Sequence, residues 1–168
     1  MFRIILDLLA SRFYIVRGGS MSPTFEDGHQ LLVMPINPSN ILSRGDVVIV
    51  HDPRYMRGCY LKRVVGLPGE LIQFLDGLLY VDGENLSESY LEGLPGLFSL
   101  ENRVWSLQAR EYFVLGDSRT RSTDSRDFGP VDSSQIAGKI WLRYWPLSKF
   151  GKVNCVNGAR FGSDDLLM

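Results

Sequence analysis

Two histidines and two cysteines are all that this 168-residue sequence holds for metal or disulfide chemistry. Cys59 and Cys155 make no disulfide framework. At most they form one bridge, and sequence alone does not set their distance. With His29 and His51 they do not amount to a metal site, and no cofactor is implied. Basic runs are missing as well. Lys and Arg number 18 against 19 Asp and Glu, a net charge of −1, and no stretch suits a nucleic-acid groove. A long apolar run is also absent. The N-terminal "MFRIILDLLASRFYIV" is interrupted by Arg3, Asp7 and Arg12 and falls short of the roughly 20 apolar residues of a spanning helix. No small-x-small site follows it, so it does not read as a cleavable signal peptide. Serine-enzyme signatures of the G-x-S-x-G and S-x-x-K kinds do not occur.

What the sequence does hold is apolar content, 45% of residues, enough for one core or one core with a small appended subdomain. Residues 1–16 read as an imperfectly amphipathic helix. Arg3, Asp7 and Ser11 recur every fourth residue and form a polar stripe, while Ile5, Leu6, Leu9, Phe13 and Val16 gather opposite. Arg12 falls at the edge of the apolar face, where its stem snorkels. Two placements stay open: the helix lies in a membrane interface, or it packs on the domain itself.

Beyond Val16 the pattern changes to short β-rich runs. "QLLVMP" (Gln30–Pro35), "DVVIVHD" (Asp46–Asp52), "CYLKRVVG" (Cys59–Gly66), "EYFVLGD" (Glu111–Asp117) and "QIAGKIWLRYWP" (Gln135–Pro146) read as strands. "ELIQFLDGLLYVDGENL" reads as a hairpin turning at Asp76-Gly77. The expected fold is therefore mainly antiparallel β. Its main domain covers 17–151, with a small inserted subdomain over about 76–108 and a loosely held tail over 152–168.

Three polar segments stand out against that framework. "RGGSMSPTF" sets Ser20 between a glycine pair and a turn, which is either plain turn chemistry or a displayed nucleophile. "YLKRVVGLPGE" sets Lys62 and Arg63 side by side in an apolar strand, so they point to opposite faces. One of them meets the interior unless the strand lies at an edge. A buried ammonium loses hydration and its pKa falls, so a neutral lysine can accept a serine proton. The alternative is a strand lysine that snorkels to water. "GDSRTRSTDSRDFGPV" follows a strand. Asp124 and Arg126 can pair there and fix the loop, and Ser122 can orient a lysine amine; an Asx turn at Asp124 is the simpler reading. His29 in the turn "DGHQ" and His51 at a strand end give little support to a Ser-His-Asp triad.

These segments carry a resemblance. "SMSPT" resembles the Ser-Met-x-Pro-Thr box of type I signal peptidases. "YLKRVVGLPGE" resembles their lysine box, and "GDSRTRSTDSRDFGPV" their Gly-Asp…Ser-x-Asp-Ser-Arg-x-Phe-Gly box. "GKIWLRYWPLSKFG" resembles their terminal strand. The order and spacing fit over roughly Ile15 to Gly151. The resemblance implies a signal-peptidase-like antiparallel β core. It implies Ser20 as nucleophile, Lys62 as general base, Ser122 orienting the lysine, and Asp124 with Arg126 bracing the loop. The Ser20 backbone N–H would meet the oxyanion. Some members carry a serine two residues before the nucleophile; Gly18 stands there, so a second donor must come from elsewhere.

The implied activity is a serine endopeptidase that removes signal peptides after small-x-small motifs. Its partners are secretory preproteins and a lipid surface, on the outer face of a bacterial cytoplasmic membrane. Gly18 and Tyr60 are expected beside an extended substrate, with Met21 and Leu61 as pocket walls and Phe25 as core. Trp141, Tyr144 and Trp145 belong either to the membrane interface or to strand packing. Where the family usually has a spanning anchor, the sequence shows a short charged segment: the anchor is interfacial, the start is incomplete, or the protein is a specialised soluble member. Two other activities fit the same chemistry: a maturation protease dedicated to one partner, and a self-cleaving repressor-type peptidase.

Overall fold

Short β-branched and aromatic runs between Gly, Pro and Asp turns become strands throughout. The computed structural model describes residues 11–36, 41–53, 58–91 and 102–153, and the backbone of 159–161. The strands are β1 (Arg12–Ile15), β2 (Gln30–Pro35), β3 (Val47–His51), β4 (Cys59–Gly66), β5 (Leu71–Leu75), β6 (Leu78–Val81), β7 (Glu84–Glu88), β8 (Arg103–Ser106), β9 (Glu111–Leu115), β10 (Val131–Asp132), β11 (Ile136–Trp145), β12 (Gly151–Lys152) and β13 (Ala159–Phe161). A one-turn helix, α1 (Ser125–Phe128), lies between β9 and β10.

The main sheet runs in the order β1-β2-β11-β3-β4-β9-β10, with β12 paired to β11. All its pairings are antiparallel. The second sheet runs β13-β7-β6-β5-β8. Its hairpins turn on Asp76-Gly77 and Asp82-Gly83, where all four residues have positive φ. Two such residues in succession suit the tight turn that matches strand twist.

Interior strands of the main sheet are buried on both faces. Val47 and Ile49 pack with Met21, Phe25, Leu31 and Ile140. Val48 and Val50 pack with Val64, Val114 and Ile136. A third cluster lies under the second sheet and joins Ile72, Phe74 and Val81 to Val65, Phe113 and Leu115 of the main sheet. The sheet also curls: β1 and the start of β4, far apart in strand order, line one cleft.

Several expectations need correction. Residues 12–15 are strand, not the end of a helix. Phe13 and Ile15 are exposed while Tyr14 and Val16 turn inward, a period of two that pairing with β2 imposes. Helical spacing had put Phe13 and Val16 on one face. The rest of that expected helix, with Arg3 and Asp7, lies outside the described residues. Among the described residues no helix is long and apolar enough to cross a membrane. The second sheet includes β5, which pairs with both β6 and β8; β12 pairs with β11 and β13 with β7. Cys59 is an exposed free thiol; Cys155 lies outside the described residues.

Candidate active site

Ser20 and Lys62 lie 42 residues apart in sequence and come together in space. Lys62 Nζ donates to Ser20 Oγ at 3.0 Å. Strand β4 is internal, so the question of which cation turns inward has a double answer. Lys62 and Arg63 are each only 1% exposed.

The two cations are treated differently. Arg63 meets Asp117 with two hydrogen bonds, Nε to Oδ1 at 2.8 Å and Nη2 to Oδ2 at 2.6 Å, and also donates to the Gly45 carbonyl at 2.9 Å. Lys62 has no carboxylate within ion-pair range among the described residues. Its polar partner is Ser20, and the Tyr60 ring lies 5.2 Å from Nζ. Burial therefore pulls the Lys62 pKa from 10.5 down to about 8, against the weaker opposing pull of Asp124 and Asp117.

The loop after β9 fits over this pair. Ser118 N–H donates to the Ser20 carbonyl at 3.0 Å. Gly116 must be glycine: a Cβ there would sit 2.1 Å from Ser122 Oγ and 2.5 Å from the Ser20 carbonyl oxygen. Ser122 Oγ is buried and lacks a hydrogen-bond partner; it makes no bond to Lys62. Asp124 and Arg126 form a bidentate pair at 2.7 and 2.8 Å. Asp124 also accepts from Gly116 N–H at 3.0 Å and caps α1, with Asp127 completing a capping box. One carboxylate thus ties the helix start to the glycine beside Ser20.

A cleft of about 190 Å³ opens beside Ser20. Tyr14, Ile15, Val16 and Arg17 line one side, Cys59, Tyr60 and Leu61 the other, and Met21, Leu31 and Ile49 the floor. Of the expected pocket residues, Met21, Tyr60 and Leu61 line it; Gly18 does not, and Phe25 is core. Gly18 has φ 79° and donates to Asp27 at 2.8 Å, so it shapes the approach to Ser20. Tyr60 is held by a 2.5 Å bond to Asp52 and by stacking on Phe128. Among the described residues β1 pairs with β2, and β4 pairs with β9 from Arg63 onward.

Sequence reading gave Gly116 and Asp117 no roles of their own. The usable signal was adjacency: if Lys62 and Arg63 are both interior, the arginine needs a carboxylate partner. Of the three terminal-strand aromatics, Trp145 is exposed. Trp141 is half-buried with Nε1 bonded to Ser11 Oγ, and Tyr144 packs edge-on against Phe13.

Known proteins resemble this chain. The family described as "Signal peptidase, peptidase S26" matches residues 1–145. A signal peptidase I of Bacillus caldolyticus is 38% identical over 149 residues, covering 82% of this chain and 81% of that protein. A signal peptidase IB of Staphylococcus aureus is 35% identical over 153 residues, covering 82% and 79%. The crystal structure of a signal peptidase I from Enterococcus faecalis aligns with a TM-score of 0.53 at 32% identity, covering 60% of this chain and 97% of that one. At such identity over most of its length, the chain belongs to the signal peptidase family and is a serine endopeptidase that removes signal peptides from preproteins.

Proposed function

We propose that Ser20 and Lys62 perform this cleavage as a nucleophile and general base. Neutral Lys62 takes the Ser20 Oγ proton as Oγ attacks the scissile carbonyl. The Ser20 backbone N–H meets the oxyanion. The Lys62 ammonium then protonates the leaving amine, which departs with the mature protein. Lys62 next takes a proton from water as the water oxygen attacks the acyl carbon, then returns that proton to Ser20 Oγ as the Oγ–C bond breaks and the signal peptide leaves as its carboxylate. The observation that carries this reading is the 3.0 Å contact to a lysine that is buried without a counter-charge. Ser122 steadies the amine once its unpartnered hydroxyl turns to Lys62. Asp124 and Arg126 brace the loop.

The substrate enters as an extended segment beside Gly18 and Tyr60. A small cleft lined by Met21 and Leu61 admits alanine-sized side chains and excludes larger ones, which accounts for small-x-small selection. Several large apolar groups are exposed: Phe13 is 73% and Leu147 71% exposed, and Ile15, which lines the cleft, Trp145 and Phe150 are exposed as well. These residues seat the enzyme on a bilayer, at the outer face of the cytoplasmic membrane, where anchored preproteins present their cleavage sites.

The test mixes the purified protein, in detergent or liposomes, with a preprotein bearing an Ala-x-Ala site. Wild type cleaves at that site, while Ser20→Ala and Lys62→Ala are inactive but folded. Substantial cleavage by either variant would refute the assignment.

A further inference from the structure

Away from the catalytic pair, a cluster of buried charge joins the two sheets. Glu88, at the end of β7, receives hydrogen bonds from both terminal nitrogens of Arg119, Nη1 at 2.7 Å, and from the Tyr90 hydroxyl. The Arg119 and Glu88 side chains are 4% and 9% exposed. The third face of the guanidinium is also used: Arg119 Nε donates to the Gly116 carbonyl at 3.0 Å. The Tyr90 ring covers the Arg63 guanidinium at 4.1 Å, and Arg63 grips Asp117. Residues of the second sheet and its flanking turn therefore hold the loop that holds Ser20.

We propose that Glu88 and Arg119 are positioning residues for the peptidase. Through them the small sheet fixes Gly116, and with it the Ser20 backbone, at the spacing the reaction requires. This rests on the Ser20–Lys62 reading above. A buried ion pair adds little stability over apolar packing, because desolvation offsets the attraction. What a guanidinium supplies is planar geometry. Arg119 fixes the carboxylate of one sheet and the carbonyl of the other's loop in a single rigid group, which a lysine's point charge cannot do. Gly116 has no room for a side chain: an added Cβ would strike Ser122 and the Ser20 carbonyl. Catalytic groups tolerate misplacement of only about 0.5 Å. A slackened loop also admits water to Lys62, whose lowered pKa depends on dryness.

The experiment measures kcat and KM from pH 6 to 10 on an Ala-x-Ala preprotein. It uses the full chain as wild type, Arg119→Lys, Glu88→Gln and Leu78→Ser, the last on the exposed face of the second sheet. At a temperature where each is folded by circular dichroism, Arg119→Lys and Glu88→Gln are expected to lose at least tenfold in kcat, with KM within twofold. Their acid limb is expected to move to higher pH. Leu78→Ser should match wild type. If both variants keep wild-type kcat and an unshifted limb, merely melting at lower temperature, the inference is overturned. Should Arg119→Lys fail to fold, Glu88→Gln, which keeps the side-chain shape, decides alone. Ser20→Ala and Lys62→Ala run alongside; activity there would overturn the catalytic assignment instead.

Discussion

Replacing Lys62 with methionine should abolish cleavage and stabilise the fold, and the gain should depend on pH in a defined way. The unfolded chain holds its lysine proton up to about pH 10.5, while the folded chain releases it near pH 8. Below pH 8 both states are protonated, and the folded state bears the full cost of a buried ammonium. At about 1.36 kcal/mol per pH unit that cost is roughly 3 kcal/mol. Between pH 8 and 10.5 the unfolded state binds more protons, so wild-type stability rises with pH. By pH 9 roughly 1 kcal/mol of the penalty is relieved. Lys62→Met has no such group, so its advantage over wild type should shrink from pH 7 to pH 10. Urea unfolding of both proteins at each pH gives the two curves. Any constant offset, including the loss of Ser20's partner, drops out, because only the change with pH is read. Parallel curves across that range would refute the claim that Lys62 is desolvated.

The same lysine predicts the activity profile: kcat should rise through an apparent pKa near 8 as the base becomes neutral, and a limb near 10.5 in single-turnover assays would contradict it. Gly116→Ala should cut kcat at least a hundredfold, since the added carbon would lie 2.5 Å from a backbone oxygen that no side-chain rotation can clear; near-normal turnover would show that the loop is not tightly set. Asp124→Ala removes the carboxylate that both Arg126 and the Gly116 N–H meet, and a loss of roughly 3–5 kcal/mol is expected in denaturant unfolding, with a loss under about 1 kcal/mol counting against the brace. Leu61→Trp should fill the cleft and raise KM for an Ala-x-Ala preprotein several-fold with little change in stability, because Leu61 lines the cleft wall.

Most strands were legible because their residues alternate between Gly, Pro and Asp turns. β2 and β4 have the limits that the pattern implies. β1 was not legible. "RFYIV" satisfies helical spacing as a continuation of the upstream apolar residues, and only pairing with β2 reveals its period of two. β13 was hidden for a similar reason, since its partner β7 lies some 70 residues earlier in the chain. The Ser20, Lys62 and Ser122–Arg126 segments were visible as local oddities: a displayed serine, a cation in an apolar run, a polar loop after a strand. The Glu88–Arg119 contact was invisible, because neither residue is unusual in its own neighbourhood.

The neighbouring cations of β4 show why burial alone does not make a base. Lys62 and Arg63 differ little in exposure, yet one is stabilised as an ion and the other is pushed toward neutrality. Asp117 is committed to Arg63 through both oxygens. Asp124 exerts the strongest carboxylate influence on Lys62, and both its oxygens are already engaged by Arg126 and by Gly116 N–H. The positive charge of Arg126 partly cancels what Asp124 would otherwise do to Lys62. Removing Arg126 while keeping Asp124 should therefore raise the Lys62 pKa, since a freed carboxylate favours the ammonium. Arg126→Met is then expected to move the acid limb of kcat to higher pH. Asp124→Asn with Arg126 intact removes the carboxylate's pull on Lys62 while keeping the guanidinium's opposing one, and should move the limb the other way. Shifts of the same sign in both variants would mean that the pair acts on Lys62 through loop geometry and not through its charges.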